Sequence, residues 1–90
     1  MTNDRSAHRI AAIRSRLTAD LDPQLLEITD ESHRHAGHAG ARDGRGHFHV
    51  RIASARFRGL SRLAQHRLIY DALGDLLTTD IHALRISAES

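Results

Sequence analysis

Leu25–Ala53 reads LLEITDESHRHAGHAGARDGRGHFHVRIA, and its pattern decides the fold. At the start, Leu26 and Ile28 fall on one side of an extended chain and Glu27, Thr29 and Glu31 on the other. This predicts a strand over Leu25–Ser32. At the end, Phe48, Val50 and Ile52 alternate with His47, His49 and Arg51, which predicts a second strand over His47–Ala53. Between them, Ala36-Gly37-His38-Ala39-Gly40 is too small to pack, and Asp43-Gly44 is a turn signal. The strands are expected to pair antiparallel around a long, flexible His/Gly loop over 33–46. Ser32–Val50 carries five of the eight histidines and four of the six glycines. Imidazole is the commonest protein metal ligand and titrates near neutral pH, so chemistry is expected on this loop.

Working outward, Ile10, Ile13, Leu17 and Leu21 form one apolar stripe and predict a helix over Asp4–Asp20. Asn3 or Thr2 is its expected cap and Pro23 its terminator. After a Ser54–Leu60 connector, Ser61 is placed to cap a helix running to about Leu77, with its first turn set off as a separate piece. Leu63, Ile69, Tyr70, Ala72, Leu73, Leu76 and Leu77 form its apolar face, with His66 buried among them. Thr78-Thr79-Asp80 reads as a turn. A last strand follows over Ile81–Ser87, with His82, Leu84 and Ile86 on one face, and residues 88–90 read as a frayed tail. The order predicts one α+β domain over 1–90, a three-stranded sheet with helices on one face and the other face solvated. His47 and His49 belong on that open face, His47 in a structural role.

The totals set limits. Ninety residues, 40% hydrophobic and 27% charged, suit a single globular domain. With no cysteine, the chain forms no disulfide and offers no thiolate ligand. The pI of 10.4 overstates its basicity, because all thirteen basic residues are arginine and the net charge is only +2. That is a weak footprint for a polyanion partner. Neither a membrane span nor a signal peptide is evident, so a cytoplasmic location is expected. There is no cysteine nucleophile, no Ser/His/Asp arrangement and no Gly-rich phosphate loop, so the case for an enzyme is poor.

Five segments in series, Asp30-Glu31-Ser32-His33-Arg34-His35, Gly46-His47-Phe48-His49-Val50, Arg56-Phe57-Arg58-Gly59-Leu60, His66-Arg67-Leu68-Ile69-Tyr70 and Ile81-His82-Ala83-Leu84, resemble the BolA family. The HAGHAG loop is similar to alphaproteobacterial members. The resemblance implies an αββααβ, class II KH-like fold, in agreement with the order read above. It further implies a heterodimer with a monothiol (CGFS) glutaredoxin that shares a two-iron two-sulfur cluster with glutathione. In this chain the implied ligands are His82, from the last strand, and His35, from the loop, with His38 and His33 as alternates. No cofactor is expected on the chain alone, which would be a monomer or weak homodimer. By residue pattern alone, His82 reads as a half-buried histidine beside Leu84 and Ile86.

Two other functions compete. Arg56, Arg58, Arg62 and Arg67 cluster around the Phe57–Gly59 turn and form a candidate phosphate-binding edge for DNA, as in a KH-like transcriptional regulator. Against this, Gly59-Leu60-Ser61-Arg62 lacks the second glycine of a GXXG clamp, and aromatic stacking platforms are few. The third possibility is a carrier of divalent metal that uses the histidine loop directly.

Overall fold

The computed structural model describes residues 4–32 and 45–90. The elements run α1 (Asp4–Leu21), β1 (Leu25–Asp30), β2 (Gly46–Ala53), a 3-10 turn (Ala55–Phe57), α2 (Arg62–Leu73), α3 (Leu76–Thr79) and β3 (Ile81–Glu89). This is the expected α+β order. The proposed caps Thr2 and Asn3, and all of the loop but Arg45 and Gly46, lie outside the described residues.

β2 is the central strand. It pairs antiparallel with β1 from Leu25↔Ala53 to Asp30↔Phe48, as the hairpin pattern predicts. It pairs parallel with β3, because a long crossover through α2 and α3 returns the chain to the same end of the sheet. Phe48, Val50 and Ile52 are at most 1% exposed beneath Ile13 and Leu17 of α1 and Ile69 and Leu73 of α2. The opposite face carries cross-strand polar pairs. Arg51 reaches Glu27 at 3.2 Å and Glu89 at 3.7 Å, and His49 Nε2 meets Ser87 Oγ at 2.9 Å.

Four local expectations are corrected. Ala88 and Glu89 are not frayed; they extend β3 opposite Ile52 and Ala53, and the Ser54 amide donates to the Glu89 carbonyl at 3.0 Å. The second helix does split, but at its far end. Gly74 adopts φ 52° and its amide donates to the Tyr70 carbonyl, ending α2, and Arg16 of α1 locks the break by donating to Leu73 O and Asp75 Oδ1. The chain then restarts as α3 through Thr79, where a plain turn is expected. The apolar face of α2 is also narrower than expected. Leu63 and Tyr70 lie about 120° and 100° round the helix from Ile69 and are 61% and 40% exposed.

The connector holds two residues that its sequence understates. Phe57 is fully buried in the core. Ser54 is fully buried too; its hydroxyl donates to the Leu21 carbonyl at 2.6 Å and accepts from the Arg56 amide at 3.1 Å, tying α1 to the end of β2.

Two substitutions test these points. A Cβ at Gly46 would lie 2.6 and 2.9 Å from the ring of Phe48, which is buried and has nowhere to swing. Gly46→Ala should therefore cost about 1–3 kcal/mol in urea unfolding. Ser54→Ala orphans a buried carbonyl and an amide, and should lower stability by about 1–3 kcal/mol with little change in the m-value.

Candidate functional site

The site forms where the histidine loop leaves and rejoins the sheet. Its root is pinned from several sides. Asp30 accepts a hydrogen bond from Ser6 Oγ of α1 and, at 2.8 Å, from the Ser32 amide. Glu31 donates its amide to the His47 carbonyl at 2.7 Å. Its carboxylate, only 9% exposed, accepts two bonds from Arg85 of β3, Nη2 at 2.7 Å and Nε at 3.3 Å. These bonds hold the Arg85 proton above the ordinary arginine range. Ser32 Oγ accepts from the His47 amide at 3.0 Å. The Asp-Glu-Ser triplet thus ties the exit of the loop to α1, β2 and β3 together.

β3 supplies His82. Gly46 pairs with Ile81, but His47 pairs with Ala83, so one extra residue sits in β3 between those pairs. That bulge displaces His82 from the face shared by Leu84 and Ile86. It is exposed rather than half-buried, and its ring lies 5.1 Å from the ring of His47, tilted by 50°. His47 itself belongs to the open face as expected, but it is buried there, only 7% exposed, rather than solvated. From the returning end of the loop, Arg45 reaches Nδ1 of His82 at 3.2 Å and the Thr78 carbonyl at 3.4 Å.

The remaining candidates are placed as follows. His33, His35 and His38 lie outside the described residues. Among the described residues, no group of three or more His, Asp or Glu side chains is arranged to hold a metal ion. An exposed imidazole such as His82 fits a single-ligand role toward a group whose other ligands come from elsewhere. His66 is half-buried, not core; it lines a groove with Arg62 and with Ile86, Ser87 and Ala88 of β3.

Arg56, Arg58, Arg62 and Arg67 are all exposed. Arg56 lines a different groove from Arg62, facing Asp20 and Asp71. Arg62 and Arg67 point about 140° apart around α2. The structure therefore distributes these arginines over several directions. Sequence reasoning missed Arg45 and Arg85, whose roles depend on contacts 37 and 54 residues away along the chain.

Comparison with known proteins gives consistent matches. The family model described as BolA-like protein matches residues 17–90. SufE-like protein 1, chloroplastic/mitochondrial, of Arabidopsis thaliana is 48% identical over 83 residues, covering 87% of this chain and 22% of that protein. BolA-like protein 1 of Mus musculus is 44% identical over 80 residues, covering 89% and 56%. This chain thus spans well under two thirds of either relative. The DNA-binding transcriptional regulator BolA of Escherichia coli (strain K12) is 42% identical over 74 residues, covering 82% and 68%. Among solved structures, the BolA domain of SufE1 from Arabidopsis thaliana superposes with a TM-score of 0.76 at 46% identity, covering 88% of this chain and 87% of that one. The solution structure of BolA1 from Mus musculus gives 0.75 at 43%, covering 90% and 63%. On the match to residues 17–90 and these agreements in sequence and fold, the chain belongs to the BolA-like family.

Proposed function

We propose that this chain is a non-catalytic partner of a monothiol glutaredoxin, sharing a two-iron two-sulfur cluster through His82 and a loop histidine, His35, with His38 and His33 as alternates. The observation that carries this is the bulge in β3, which turns His82 out of the core and sets it, exposed, beside the root of the histidine loop. The Asp30–Ser32 anchor and the Glu31–Arg85 pair keep that root in register with β3. In this role the chain presents imidazoles, and the partner and glutathione supply thiolates. Imidazole ligation makes such a cluster less negative and raises its potential, as in Rieske centres.

The DNA reading has one point in its favour, the name of the E. coli relative, a DNA-binding transcriptional regulator. The divergence of Arg56, Arg62 and Arg67 and a net charge of only +2 weigh against it. It would show as binding whose logarithm falls steeply with the logarithm of salt concentration.

The test of cluster sharing is anaerobic reconstitution with a monothiol glutaredoxin and glutathione, followed by absorption and circular dichroism. Wild type should reshape the glutaredoxin cluster spectrum, His82→Ala should not, and His35→Ala should weaken the change. A glutaredoxin spectrum untouched by wild type would end this proposal. A protonated imidazole cannot bind iron. The visible absorption of the shared cluster should therefore be stable above the histidine range and bleach as pH falls through it; constant absorption from pH ~8 to ~5.5 would argue against histidine ligation.

A further inference from the structure

Arg45 touches the same nitrogen-bearing ring that the proposed function uses, and it does so with the wrong polarity for a supporting residue. Guanidinium has five N–H donors and no acceptor. At 3.2 Å from Arg45 Nη2, His82 Nδ1 must therefore be the acceptor. A neutral imidazole has one nitrogen with an available lone pair, so the ring proton then resides on Nε2. A histidine that binds metal through Nε2 ordinarily donates its Nδ1–H to a carboxylate, carbonyl or water. Arg45 offers a donor where an acceptor is required. Metal ligation at either ring nitrogen is thus incompatible with this contact.

The contact is built into the fold. The next residue, Gly46, donates its amide to the Asp80 carbonyl at 2.9 Å and pairs with Ile81. The backbone of Arg45 is therefore fixed beside the start of β3, and the Thr78 carbonyl accepts a second bond from its guanidinium at 3.4 Å.

We propose that Arg45 determines which metal cargo His82 accepts. It occupies the histidine lone pair and repels hydrated divalent cations. A thiolate-ligated iron–sulfur group is anionic and gives the guanidinium a new acceptor, so Arg45 admits that cargo and excludes free ions. This rests on the reading of His82 as a ligand.

The experiment uses the full chain without a partner. Long-range ¹⁵N NMR reads the His82 tautomer, and titration with Ni²⁺ reads cation affinity in wild type, Arg45→Met, His82→Ala and the double variant. Wild type should show the proton on Nε2. Arg45→Met should lose that tautomer bias and bind Ni²⁺ roughly tenfold more tightly, and the gain should vanish when His82 is also removed. A wild-type proton on Nδ1, equal Ni²⁺ affinity in wild type and Arg45→Met, or a gain that persists in the double variant would each overturn the proposal. None of these readouts involves a cluster or glutaredoxin, so failure here is distinct from failure of wild-type reconstitution.

Discussion

Burial of the alternate side chains of β2 is the constraint on which the rest of this structure depends. Phe48, Val50 and Ile52 are almost entirely withdrawn from water, and burial of each contributes about 1.5–3 kcal/mol. Burying them requires a cover on one face of the sheet, which α1 and α2 supply through Ile13, Leu17, Ile69 and Leu73. It also requires partners for both edges of β2, because a strand buried on one face cannot leave its backbone groups unpaired. β1 satisfies one edge through the hairpin and β3 the other through the crossover.

The consequence for function appears at the end of β2 where pairing begins. Gly46 is confined against the Phe48 ring and Ser32, so the strand enters the sheet closely packed there. The register shift beside it adds one residue to β3, and that residue is His82. A bulge re-aims a side chain at little cost to the ladder beyond it; Leu84 and Ile86 still face the core side. An exposed imidazole is thus held by the same pairing that organises the core.

The open face plays a different part. Its ion pairs, Arg51 with Glu27 and Glu89, are about half exposed, and such pairs contribute about 0–1 kcal/mol each. They keep the face polar rather than stabilise the fold. Arg85–Glu31 differs, since its carboxylate is largely buried and the pair is bidentate. That pair joins the loop root to the strand that carries His82.

Local periodicity was enough to reveal α1, the β1–β2 hairpin, the Ser61 cap and the sidedness of the sheet, because each depends on neighbours a few residues apart. The five family segments were likewise visible in the chain and pointed to His82. What periodicity misjudged has a common cause. Simple alternation put His82 with Leu84, whereas the bulge is a property of two paired strands 35 residues apart. The helical wheel of α2 does not say how wide a face its neighbours will cover, so Leu63 and Tyr70 were placed inside and are exposed. Ser54 and Phe57 looked like connector residues until α1 and the core closed over them. Arg45 and Arg85 carry no sequence signal at all, because a lone arginine acquires meaning only from the group that tertiary folding brings to it. The amino-acid sequence determined which chemistry is available, imidazole without thiolate; the tertiary structure decided that His82 lies exposed beside the loop root and that Arg45 touches its ring, since both depend on contacts between residues far apart in the chain.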